Sequence, residues 1–121
     1  MAKAPAASSL PRGERLRRAA DFQMVFQRGS RHERSTFVAL WRRAPARRVG
    51  FAVSRQVRRA VSRNRARRRI REAYRRVRAQ MAPDVEMVLV ARPTAVTRPF
   101  PELVEDMRRL AEALKRPGPQ A

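Results

Sequence analysis

The 121-residue sequence predicts an α+β fold in a single domain, with elements in the order αββαβα. Three observations carry this reading. Two β-branched and aromatic runs stand close together in the first half, a third follows a long basic segment, and helical periodicity of about 3.6 residues marks the segments around them. With a usual domain size of roughly 100–200 residues, one compact unit is expected. It should span residues 12–116, with loose Ala-, Ser- and Pro-rich residues 1–11 as an N-terminal tail and residues 117–121 as a C-terminal one.

The elements follow in chain order. In RLRRAADFQMVFQRG, Asp21 can cap a short helix that carries Phe22, Val25 and Phe26 at i, i+3 and i+4, and Gly29 is placed to end it. STFVALWRR, residues 35–43, alternates Phe37, Ala39 and Trp41 with Val38 and Leu40, so both faces of that strand should be covered. A second strand over residues 49–54 comes soon after Pro45, and so short a connection suits an antiparallel hairpin. His32, with no histidine or cysteine partner, belongs in a loop. DVEMVLVAR, residues 84–92, is a third strand ended by Pro93. In the last helix, Leu103, Met107, Leu110 and Leu114 repeat at helical spacing. Its acids cluster early and its bases late, as the helix dipole prefers.

Composition narrows the function. Thirty Lys+Arg against ten Asp+Glu leave a formal charge of +20, which destabilises a compact chain unless a polyanion neutralises it. Nucleic acid is the leading partner. Arginine almost excludes lysine, and its planar fork matches phosphate and stacks on bases. The absence of cysteine excludes disulfides and thiolate metal sites. No run approaches the ~18 apolar residues of a membrane span, and MAKAPAASSL lacks a signal peptide's apolar core, so a soluble cytoplasmic protein is expected.

The charge is densest in SRNRARRRIREAYRR, residues 62–76, where eight arginines stand with one acid, Glu72. On a helical wheel of about 100° per residue, Ala66, Ile70, Ala73, Tyr74, Val77 and Met81 gather in one core-facing arc. Opposite them lie Asn64, Arg68, Arg71 and Arg75, flanked by Arg67 and Arg78, while Arg65, Arg69 and Arg76 form a second basic edge. Glu72 can pair with Arg68 and Arg76. Ser62 is a suitable N-cap, yet Arg63 and Arg65 follow it at the positive end of the helix dipole, at a cost on the order of 0.3–1 kcal/mol each. That conflict makes sense where amides and guanidinium groups jointly receive phosphate. Asn64 adds a neutral amide whose carbonyl can accept a hydrogen bond, which arginine cannot do.

AVSRNRARRRIREAYR, residues 60–75, resembles the signature of the bacterial ribonuclease P protein component, an RNR box followed by further bases in register. Arg63, Asn64, Arg65, Arg67, Arg68 and Arg71 match it. RLRRAADFQMVFQRG resembles that family's opening helix with its paired Phe, VGFAVSR its second strand, and MVLVARP its third, with Ala91 and Arg92 matching. Two positions depart: Arg58 stands where the family commonly has Gly, and Gln56 where it often has Lys.

The resemblance implies a two-layer sandwich of the ribosomal protein S5 domain 2-like kind with a left-handed βαβ crossover, where pattern alone would favour the right-handed one. It implies the protein subunit of a ribonucleoprotein endonuclease whose catalytic RNA, with Mg2+ ions held mainly by that RNA, removes the 5′ leader of precursor tRNA. Arg63, Asn64, Arg65, Arg67, Arg68 and Arg71 would bind the RNA subunit, with Asn64 reaching metal through water. Phe22, Phe26 and Arg92 would line a cleft for the leader.

The leader surface can be weighed from the residues themselves. Phe22 and Phe26 lie one turn apart and can stack bases at ~1–3 kcal/mol each, although core packing is an equal alternative for Phe26. Arg17, Arg18 and Arg92 can supply a phosphate rail. The ten acids are scattered, so no metal-dependent nuclease site is expected in the chain itself, and no membrane or protein partner is implied. A general RNA-binding or ribosomal protein, and a DNA regulator reading a major groove, are the competing readings that charge alone allows.

Overall fold

A computed structural model describes residues 12–16 and 19–115. Arg17, Arg18 and Arg116 lie outside them. The elements are α1 (Ala19–Arg28), β1 (Ser30–Glu33), β2 (Phe37–Arg43), β3 (Arg48–Val53), α2 (Ala60–Val77), β4 (Val85–Ala91), α3 (Thr94–Thr97) and α4 (Phe100–Lys115). The α+β character and the order of the main elements agree with the sequence. One edge strand, β1, and one short helix, α3, are added to them.

The four strands run in the order β1-β2-β4-β3. This corrects the expected hairpin: β2 and β3 are not neighbours, because β4 lies between them, antiparallel to β2 and parallel to β3. The reason is apolarity. All but one residue of β4 is buried, and a strand this apolar belongs at the centre with a partner on each side. Skipping one strand requires about 10 Å at ~4.8 Å per strand spacing, within reach of the four-residue link 44–47 at ~3.3 Å per residue.

β2 is covered on both faces, as its alternation indicates. Phe37 and Ala39 join Met87, Leu89, Val49 and Val53 under α2 and α4, meeting Ile70, Tyr74 and Val77 from one helix and Leu103, Met107 and Leu110 from the other. Trp41 packs at the margin of this core, with the Arg43 guanidinium 5.2 Å from its ring centre. Val38, Leu40 and Val88 face the opposite way and meet Val25 and Leu16, with Phe22 against them. Each fully buried side chain of this size contributes about 1.5–3 kcal/mol.

α1 begins at Ala19, two residues before the expected cap Asp21. Gly29 follows its last residue, but not through a left-handed cap, since no described glycine has positive φ. A Cβ there would lie 2.6 Å from the Val25 carbonyl oxygen and 2.9 Å from that of Trp41, so only glycine lets the helix end this close to β2. His32, expected in a loop, lies in β1 opposite Ala39. β1 escapes the pattern because SRHE has no apolar residue; it is an edge strand recruited by β2.

Two buried carboxylates fix the frame. Asp106 of α4 accepts hydrogen bonds from the Thr36 N–H (3.0 Å), the Thr36 hydroxyl (2.7 Å), the Ser35 hydroxyl (3.0 Å) and Arg34 Nε (3.2 Å). Asp106 therefore ties α4 to the segment that leads into β2. Burial pushes its carboxyl up, but these donors outweigh burial and hold it below its usual range. Glu14 accepts from Arg78 Nε (2.8 Å), Arg47 Nε (3.0 Å) and the Tyr74 hydroxyl. Here too burial raises the carboxyl, and Arg78, Tyr74 and Arg47 together bring it below its usual range. Leu16 N–H donates to the Val49 carbonyl at 2.9 Å, so residues 14–16 are pinned against the free edge of β3.

Candidate nucleic-acid interface

The arginines of α2 divide into those the fold uses and those it leaves free. The helix starts at Ala60, so Ser62 lies in its first turn and is not the cap. Arg59 is the N-cap, in extended conformation (φ −81°, ψ 139°) with no side-chain bond, and the first turn holds no acid. Arg63 turns inward: Nη1 donates to the carbonyls of Val57 (2.8 Å) and Ser54 (3.0 Å), and Nη2 to that of Val53 (3.3 Å). Arg65 and Arg69 reach α3, donating from Nε to Val96 O (3.2 Å) and Ala95 O (2.9 Å). Arg69 and Arg76 also flank the Phe100 ring, at 5.9 and 5.2 Å. Glu72 pairs with Arg75 (2.6 Å) and Arg76 (3.4 Å), not with Arg68. Arg78 belongs to Glu14.

What remains is Asn64, Arg67, Arg68 and Arg71. Their side chains make no hydrogen bond or ion pair among the described residues. They recur at i, i+3, i+4 and i+7, and with Val61 they line a groove of about 520 Å³. Val61 is 78% exposed, unusual for so large an apolar side chain beside four polar ones. Mutual repulsion of unpaired guanidinium groups is a standing cost, lowest when phosphate enters the groove.

Arg67 and Arg71 also line a second pocket, of about 300 Å³, on the α1 side. Its other walls are Arg15, Leu16, Phe22, Val49, Gly50 and Phe51. Phe22 lies over β3 at Gly50, where a Cβ would stand 2.6 Å from its Cζ, so glycine here makes a seat for the ring. The expected cleft set is only partly assembled. Phe22 joins Arg67 and Arg71; Phe26 is 49% exposed on α1 and outside this pocket. Arg92, past the end of β4, pairs with Glu33 at 3.2 Å.

Sequence reasoning missed Arg15 and Val61. Arg15 is brought to the pocket by a bridge to Val49, invisible in one dimension. Val61 had a signal, an apolar residue off the buried arc of its own helix.

Fold and groove together define a class: a small α+β domain whose longest helix turns unpaired cations outward to receive a polyanion. The family model for Ribonuclease P matches residues 10–115, and the chain belongs to that family. It is 42% identical over 107 residues to the ribonuclease P protein component of Chloroflexus aurantiacus, covering 82% of this chain and 76% of that one. With the corresponding protein of Desulfovibrio desulfuricans it shares 38% identity over 122 residues, covering 93% and 92%. The solved ribonuclease P protein of Thermotoga maritima superposes with a TM-score of 0.73 at 27% identity, covering 87% of this chain and 99% of that one.

The described residues do not fit a magnesium cage. Among the described residues no three carboxylates, histidines or cysteines converge, and the groove around Asn64 is cationic, the wrong sign for a hard divalent ion held by protein alone.

Proposed function

We propose that this chain is the protein subunit of ribonuclease P and assists removal of the 5′ leader from precursor tRNA by a catalytic RNA. Its contribution is binding and orientation. Asn64, Arg67, Arg68 and Arg71 contact the RNA subunit through phosphate and ribose, and Arg65 adds charge at the helix edge. The pocket floored by Phe22, continuing toward Phe26, takes the single-stranded leader by stacking, with Arg15, Arg67 and Arg71 on its phosphates. Stacking tolerates any base, which suits a leader of variable sequence. Arg92, just past the end of β4, is a further leader contact, available when its exposed pair with Glu33 opens.

The bond-breaking step belongs to the RNA, which would hold the Mg2+ ions, and Asn64 would offer its amide carbonyl to a water on such an ion. The observation that carries the reading is that Asn64, Arg67, Arg68 and Arg71, all at positions matching the family signature, line one groove with no intramolecular partner among the described residues. Among the described residues no helix is long and apolar enough to cross a membrane, and a cytoplasmic location goes with tRNA processing.

The test is reconstitution. Adding the protein to a ribonuclease P RNA at limiting magnesium should accelerate accurate 5′ cleavage of a precursor tRNA, and the protein alone should cleave nothing. Unchanged cleavage on addition would overturn the proposal, and accurate cleavage by protein alone would overturn its non-catalytic role.

A further inference from the structure

Arg63 is set apart from the other arginines of its helix because its guanidinium is spent on three backbone carbonyls, those of Val53, Ser54 and Val57. All three belong to the end of β3 and the connection that leads to α2. The same connection is held by the Val57 N–H on the Ser54 carbonyl (3.1 Å) and the Gln56 N–H on the Ser54 hydroxyl (3.1 Å). Ser54 N–H donates to Ala91 O at 2.9 Å, and the Val57 side chain is buried in the main core. Surface connections are ordinarily the most mobile parts of a fold; this one is tied to its sheet, its helix and the core.

What it displays is charge. Arg55, Arg58 and Arg59 are all exposed, and none makes a side-chain hydrogen bond or ion pair among the described residues. Arg58 needs no unusual backbone, since no described residue has positive φ. Three guanidinium groups in five residues repel one another. Holding their backbone rigid lowers the ordering cost of binding only if something binds there. A run of phosphates is the ligand that matches several forked donors on a fixed turn.

We propose that residues 54–59 form an arginine turn that grips RNA phosphates through Arg55, Arg58 and Arg59, and that Arg63 is the positioning residue that builds this turn without touching RNA. The inference rests on the RNA-binding reading above and adds a contact surface outside the face of α2. It also reassigns Arg63: the first arginine of the RNR box serves the turn, and the turn presents charge in its place.

The experiment is equilibrium binding of the full chain to a ribonuclease P RNA across a salt series, with thermal melts alongside. Arg55/Arg58/Arg59→Ala should make the slope of log K against log salt shallower by about 2 to 3, at ~0.7–0.9 per phosphate contact, with the melting temperature unchanged or raised. Arg63→Ala should lower the melting temperature and lose a similar share of the slope, and the quadruple variant should bind no more weakly than the triple one. Arg63→Lys keeps the charge but cannot bridge three carbonyls, so it should behave as Arg63→Ala does. Should Arg63→Ala fail to fold, the triple variant and Arg63→Lys still decide. An unchanged slope in the triple variant, while Arg67/Arg68/Arg71→Ala weakens binding, would overturn the turn and leave the RNA reading standing. Full additivity of Arg63→Ala with the triple variant, or rescue by lysine, would place Arg63 on the RNA and overturn its positioning role. A wild-type chain that does not bind this RNA would remove both.

Discussion

Asp106 and Gly29 show how single residues hold this fold against its own charge. Asp106 accepts four hydrogen bonds from residues 34–36. Asp106→Ala should cost about 2–4 kcal/mol in denaturant unfolding, because three neutral donors and one cation lose their acceptor. Gly29→Ala should cost roughly 1–3 kcal/mol, since the new methyl group meets two backbone carbonyls that cannot rotate away. Neither effect was legible in the sequence. The partners of Asp106 lie about 70 positions away, and Gly29 looked like a left-handed cap when its role is close approach. The buried face of α2 was legible to the residue: Ala66, Ile70, Ala73, Tyr74 and Val77 are its buried positions, because a periodicity of 3.6 encodes a face directly.

At the scale of elements, pairing was harder to read than existence. The three apolar strands and the main helices stood out by composition, but the place of β4 between β2 and β3 is a property of the whole sheet. β1 and α3 went unseen because polar edge strands and single helical turns carry no periodicity. α3 is held to α2 by the side chains of Arg65 and Arg69. Arg69→Ala should therefore lower stability by about 1–2 kcal/mol while changing the salt slope of RNA binding by less than one contact. A loss of slope equal to that of an Arg68→Ala variant would show that this edge, too, faces RNA.

For the whole molecule, the balance is between +20 of charge and one small core. Glu14 and Asp106 are both held below their ordinary range in the folded state. Their contribution is therefore present above the unfolded carboxylate pKa of about 4 and is lost as pH falls through the lower folded values. Thermal melts should fall only slightly from about pH 7 to 5, where burial and then Arg34 oppose protonation of His32 in the folded state, and then fall steeply, and an Asp106→Asn variant should fall less steeply over that lower range. Sulfate or phosphate should raise the melting temperature at low ionic strength, because anions that bind only the folded arginine face shift the equilibrium toward it; a melt unaffected by sulfate would contradict that. The central claim is a division of labour, in which paired arginines hold the fold and free ones hold RNA. Its most direct measurement is the affinity of Arg67/Arg68/Arg71→Ala for a ribonuclease P RNA at physiological salt. The account expects a loss of roughly a hundredfold, from three contacts of about 1 kcal/mol each, with a melting temperature unchanged or higher. Affinity within about twofold of wild type, accompanied by a lower melting temperature, would contradict it.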